Sequence, residues 1–329
     1  NLNVVIPLLR NFGEKNSGAN LLAAESTLTA SQYLSKFNIS SRVFITASSY
    51  WSSYAAEKNF EILSDGGARA QYTFDRVKTR VDAGEADPVE LEEAKARLFA
   101  IKSDIRNARL KAYTTRQTLA VAMGLKPKEL TNAPYAIETF PEVMDPKSLK
   151  PAVTKIFVDE ALKLRGDYLS ALQGIITQKI VTNRSKNQIL PSLEFETQFG
   201  YAGLDESNSN SRVFRSLANQ INGLNLLTSL TFEWPVQNNA AKGSYLKNKS
   251  LSEEAKLTSD NLSNKIASDV LIATEKLASA IDEYNLANKS VNSYKRSLEN
   301  KRVKLQDGEL SITDLLNVET LYLQSRVVK

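Results

Sequence analysis

Two acidic residues hold the most specific positions in this chain. Glu90 stands six places after Gly84 in "VDAGEADPVELEEA" (Val81–Ala94), and Asp314 stands six places after Gly308 in "LQDGELSITDLLNV" (Leu305–Val318). A carboxylate three residues after an Asp or Ser, here Asp87 and Ser311, can close a capping box on the first turn of a helix. Wider chemistry is narrow. With no His and no Cys there is no imidazole acid or base, no catalytic thiol, no disulfide and no His or Cys metal site. Carboxylates, Lys, Ser and Tyr remain as catalytic groups, but no nucleophile–base pair is assembled in the sequence. The reading is therefore a protein that is not an enzyme and takes no cofactor.

The formal charge of +5 and pI near 9.1 raise nucleic acid as a partner. The distribution argues against it. Lys and Arg alternate with Glu and Asp in "EEAKARL" and "NSYKRSLENKRVKL", as on solvated helix faces, and "GGAR" (Gly66–Arg69) is too short for a phosphate loop. The Asn-x-Ser matches at Asn38, Asn183, Asn248 and Asn288 are common by chance. Cysteine avoidance fits an oxidising envelope compartment.

Long helices must position the two acids. No Pro interrupts Leu8–Asp87, a stretch whose helical part could reach roughly 100 Å. Apolar or small residues recur every three or four places from Ile266 through Val270, Ala273, Leu277, Ile281 and Tyr284 to Leu298, the stripe of a packed coiled coil. Gly66-Gly67, inside one such stretch, reads either as a bend or as a weak spot costing about 1 kcal/mol per glycine. Gly84 and Gly308 can take the left-handed conformation that ends a helix, Asp87 and Ser311 can cap the next, and Pro88 suits its first position. Each is a helical hairpin tip.

Three segments change period. In "LPSLEFETQFGY" the residues Leu193, Phe195, Thr197, Phe199 and Tyr201 alternate with Glu194, Glu196, Gln198 and Gly200. In "GLNLLTSLTFEWP" Leu224, Leu226, Thr228, Leu230, Phe232 and Trp234 form the apolar side, and "LNVVIP" (Leu2, Val4, Ile6) is a weaker copy. Alternation over about ten residues is a strand with one apolar face, either half-buried in a soluble sheet or facing lipid in an outer-membrane barrel. Length favours the barrel, since about 9–11 tilted residues cross a bilayer. The polar segment "LDESNSNSRVFRSLANQIN" between the last two strands reads as a long hairpin loop. No run of eighteen apolar residues offers a membrane-spanning helix.

The motifs repeat in order. Gly84 aligns with Gly308, Asp87 with Ser311, Glu90 with Asp314, and Pro7 with Pro235, so the unit strand, proline, long helix, glycine turn, returning helix occurs twice. The expected domains are a first repeat over 1–125, a Pro-rich linker over 126–151, and a second repeat over 152–329. The second holds a helix near Lys155–Gln188, a strand hairpin over 191–235, a long helix and a last helix cut short. Comparing the copies predicts about 80 residues upstream of Asn1 and about 20 beyond Lys329. The opening "NLNVVIPLL" reads as the middle of a longer chain. Three or four strands cannot close a barrel, which takes about eight, and an open edge cannot face lipid. Membranous strands would have to be pooled by several subunits.

The duplicated plan, the prolines Pro7 and Pro235 closing the inner strands, "LPSLEFETQFGY" opening at Pro191 after a helix near "LRGDYLSAL", and the paired tips resemble the TolC family of outer-membrane efflux channels. The resemblance covers essentially the whole chain and rests on order and spacing. It implies a mainly α fold with a small β part. Long coiled-coil hairpins would form a periplasmic tunnel, and the strands would enter a trimeric 12-stranded barrel in the outer membrane of a Gram-negative-type envelope. It implies a homotrimer in contact with outer-membrane lipid, serving as passive exit duct of a tripartite efflux or type I secretion system. Drugs, metal ions or proteins would arrive from an inner-membrane pump through a periplasmic adaptor. By the same resemblance Ala83, Gly84, Glu85, Asp307, Gly308 and Glu309 are adaptor-contact tips. Asp314, with Glu90 its counterpart, matches an acidic ring at the pore entrance, where three carboxylates would attract cations. The next ring position is Asn317, and the family's latching aromatic and arginine are Leu305 and Leu310, which implies an entrance less charged and less tightly latched. Asp314 can equally be only a capping acid. The rival reading is an elongated structural or adaptor coiled coil of the envelope.

Overall fold

The computed structural model describes residues 2–143, 151–202, 223–306 and 311–328. The loop expected over 204–222 and the tip positions Asp307, Gly308, Glu309 and Leu310 lie outside the described residues. The elements are β1 (Leu2–Pro7), the single turn α1 (Glu14–Ser17), α2 (Ala19–Asp82), α3 (Pro88–Ala122), a 3-10 turn (Leu130–Asn132), α4 (Pro151–Leu164), α5 (Gly166–Asn187), β2 (Ser192–Ala202), β3 (Gly223–Glu233), α6 (Asn239–Gln306) and α7 (Ile312–Val328). Among the described residues no helix is long and apolar enough to cross a membrane.

Two compact units share the long helices. One contains Asn1–Phe37 and Asp159–Ser268, the other Asn38–Val158 and Asp269–Lys329. The sequence repeats divide the chain lengthwise, whereas compactness cuts across α2 and α6. A helix too long for one core has its stripe buried piecewise by whatever packs beside it.

The first unit carries the sheet, with order β1-β2-β3 and both pairings antiparallel. Register sets Ile6 opposite Phe195 and Phe195 opposite Leu230, while Leu2 meets Phe199 and Phe199 meets Leu226. The alternating residues therefore line up as one apolar face. The other face aligns Val5, Glu196 and Ser229, and Asn3 Nδ2 donates to Glu196 Oε1 across it at 2.8 Å. Among the described residues nothing covers the apolar face: Leu2 is 63% exposed, Leu226 59%, Leu230 63% and Phe232 58%.

Strands turn into helices at two left-handed asparagines, Asn11 (φ 66°) and Asn238 (φ 40°). Asparagine tolerates that conformation better than most residues. Both grip the chain just before β2. Asn187 Oδ1 accepts from the Asn11 backbone N–H at 2.7 Å, Gln188 Nε2 donates to Asn11 Oδ1, and Asn238 Nδ2 donates to the Ile189 carbonyl at 2.9 Å. The transitions marked by Pro7, Pro191 and Pro235 are thus held by side-chain amides. The helix expected near Lys155–Gln188 is two helices broken at Arg165. At Gly166 a Cβ would stand 2.2 Å from the Tyr33 carbonyl oxygen, so only glycine lets the backbones approach this closely.

In the second unit, residues from α2, α3 and α7 meet in one cluster, Ala70, Leu98, Ile101 and Leu323. Gly66-Gly67 serves that packing. The helix continues through the pair, and a Cβ on Gly66 would lie 2.8 Å from both Leu323 methyls, and one on Gly67 2.5 Å from Ile105 Cδ1. The pair is a close-approach surface within an unbroken helix. The described part of the linker, 126–143, is tied to α2 and α3. Tyr50 Oη accepts from the backbone N–H groups of Ile137 and Glu138 at 3.1 and 2.9 Å, Phe140 stacks on Trp51, and Arg116 lies 4.1 Å from the Tyr135 ring centroid.

Candidate functional site

The candidate site lies where the hairpins turn. At the first tip α2 ends in a Schellman motif: Glu85 N–H donates to the Arg80 carbonyl at 2.8 Å and Gly84 N–H to the Val81 carbonyl at 2.9 Å, with Gly84 at φ 76°. Ala83, Gly84 and Glu85 are all exposed. Asp87 then caps α3, its Oδ1 accepting from Val89 N–H at 2.8 Å, with Pro88 at the first helical position. Asp87→Ala is expected to fray this turn at a cost of about 0.5–2 kcal/mol. Faster amide exchange at Val89, with exchange at Ile101 unchanged, would be the signature.

The capping box expected at Glu90 does not form. Its Oε2 is buried with no hydrogen-bond partner among the described residues, while its own N–H donates to the Asp87 carbonyl at 3.0 Å. The Asp87 carboxylate instead takes the N–H of Val89, one residue before the position a capping box uses. The second tip keeps more of it. Asp314 N–H donates to Ser311 Oγ at 3.3 Å, and Ser311 Oγ donates to Asp314 Oδ2 at 3.1 Å.

Packing fixes which side of α7 faces out. Ile312 and Leu316 bury against Val77 and Ala94, while Leu315 and Val318 bury against Leu298. Asp314 and Asn317 share the remaining exposed stripe. Leu305 packs against both clusters, so its side chain helps to join the hairpins. The acid of α3 that reaches α7 is Glu93, whose Oε2 accepts from Thr313 Oγ1 at 2.6 Å. Glu90 and Asp314 are equivalent helix positions that no described contact brings together. Glu93 escaped the sequence reading because the repeat alignment looks for equivalent positions, whereas contact depends on how the hairpins lie side by side. Further along α7, Glu319 pairs with Arg302 at 3.0 Å.

An antiparallel sheet with an exposed apolar face and long paired helices are the elements of a fold known from solved outer-membrane channels. Residues 2–125 match the outer membrane efflux protein family. Solved channels match nearly the whole chain. The CmeC outer membrane channel of Campylobacter jejuni is 18% identical over 99% of this chain and 65% of its own, with TM-score 0.77. VceC of Vibrio cholerae is 17% identical over 99% of this chain and 73% of its own, with TM-score 0.75. The open MtrE channel of Neisseria gonorrhoeae is 16% identical over 98% and 71%, with TM-score 0.63. The chain spans just under two thirds of the CmeC chain, and no curated protein sequence matches it. The chain thus carries that family's sequence pattern over residues 2–125 and shares the fold of the solved channels over its length.

Proposed function

We propose that this protein is the passive exit duct of a tripartite efflux or type I secretion system. Three copies pool their strands into one barrel, and their helices continue it as a tunnel. Energy comes from an inner-membrane pump, cargo arrives through a periplasmic adaptor, and no chemistry occurs in this chain. The observation that carries the reading is the uncovered apolar face of the β1-β2-β3 sheet. An envelope coiled coil used only as scaffold has no need for it, and a soluble sheet would bury it. The exposed Ala83, Gly84 and Glu85, with Asp307, Gly308 and Glu309 of the second tip, are the adaptor contacts in this reading. Asp314 lines the entrance one turn before Asn317, with Leu305 and Leu310 at the latch positions and Glu90 set back in the first hairpin.

Single-channel conductance of the full-length, detergent-purified protein in planar bilayers tests this. Small cation-selective openings are expected, and the double variant Asp314→Ala, Glu90→Ala should reduce that selectivity, most of the loss coming from the exposed Asp314. A protein shown to be inserted that stays silent even when the tips are loosened by substitution at Gly84 would end the duct reading.

A further inference from the structure

A groove in the second unit collects cations without matching acids. It encloses about 850 Å³ between α2, the end of α6 and α7, and Arg69, Arg76, Arg80 and Arg302 line it. Arg69, Tyr72, Thr73, Arg76 and Arg80 fall at helical spacing, so three guanidiniums share one stripe of α2. The acid among the lining residues is Glu319. It is already engaged: its side chain is 13% exposed, it pairs with Arg302 at 3.0 Å, and it also faces Arg97.

The α2 arginines differ in what they hold. Arg80 Nη2 donates to the Glu85 carbonyl at 3.2 Å, and Arg76 lies over the Tyr72 ring at 5.7 Å. Arg69 Nη2 is buried and has no hydrogen-bond partner among the described residues. A buried, unpartnered guanidinium nitrogen costs stability, and neighbouring cations raise that cost. The floor of Leu305, Ile312 and Leu315 is apolar, which strengthens the field that an incoming negative group would meet. Guanidinium forks match the paired oxygens of carboxylate and phosphate.

We propose that this groove binds a soluble polyvalent oxyanion, a polyphosphate or polycarboxylate, which ties the first hairpin through Arg69 and Arg76 to the second through Arg302. The bound anion offsets the repulsion among these guanidiniums and braces the hairpins close to their tips. This stands independently of the duct reading, because its test reads binding and not conductance.

Calorimetric titration of the full-length, detergent-purified protein with tripolyphosphate and with citrate, at low salt and at about 0.15 M salt, is the experiment. Saturable binding of one anion per chain is expected, weakened by salt, and Arg69→Gln and Arg76→Gln should each lower the affinity about 10-fold or more. Binding of tripolyphosphate alone assigns phosphate chemistry; binding of both assigns charge valence. Without anion, Arg69→Gln should melt no lower than the parent, and tripolyphosphate should raise the melting point of the parent only. Three results would each overturn the proposal: no binding of either probe at about millimolar concentration, unchanged binding in both variants, or an Arg69→Gln protein that melts lower without any anion present.

Discussion

Leu230→Arg is expected to remove the protein from the outer membrane almost completely. Leu230 is 63% exposed and lies in the middle apolar row, opposite Phe195 and in line with Ile6. An arginine on the lipid face near the bilayer midplane costs about 2–4 kcal/mol. In the proposed threefold outer-membrane assembly the change is repeated in every copy, so the total reaches about 6–12 kcal/mol, comparable with the whole stability of a typical domain. The neighbouring Ser229→Arg puts the same charge on the opposite face, where Glu196 already sits across the strand pair, and should insert within a few-fold of the parent. Quantifying oligomer in the outer-membrane fraction separates the two. Equal insertion of both variants would mean that the apolar face does not meet lipid.

That contrast was legible in the sequence because period-two alternation is local. Once a strand's residues are assigned to faces, only register remains, and an antiparallel hairpin with one apolar face fixes it. The first tip was legible for a similar reason. Gly84, Asp87 and Pro88 act within a single turn, and the structure gives them the left-handed, capping and first-turn positions their types suggest. Glu90 shows where local reasoning stopped: the cap geometry depends on which N–H the Asp87 carboxylate takes, and it took Val89. The break at Arg165 and the gripping roles of Asn11 and Asn238 depend on the backbone of another element, which a pattern along one element cannot contain. The arginine groove was likewise invisible. Arg69, Arg76 and Arg80 are only three basic residues along one helix until Arg302 and the apolar side of α7 are set beside them.

Gly66 supports the second large prediction, because two opposing terms meet there. Leu323→Ala alone is expected to cost about 2–5 kcal/mol, since it empties a side chain from the cluster with Ala70, Leu98 and Ile101. Gly66→Ala alone gains about 1 kcal/mol of helix propensity. It also forces a Cβ to 2.8 Å from both Leu323 methyls and 3.0 Å from Ile101 Cδ1, an overpacking that costs about 1–3 kcal/mol. The single change should therefore be neutral or destabilising, although it improves the helix in isolation. In the double variant the lost Leu323 methyls leave room for the new Cβ, which keeps its propensity gain and refills part of the cavity. Denaturation midpoints should then show a favourable coupling of about 1–3 kcal/mol between the two sites. If the effects instead add to within about 0.5 kcal/mol, or Gly66→Ala alone delivers its full propensity gain, the glycine is a tolerated weak spot. A clear coupling makes it the contact that lets α3 and α7 lie close against α2, and so holds the hairpins together behind their tips.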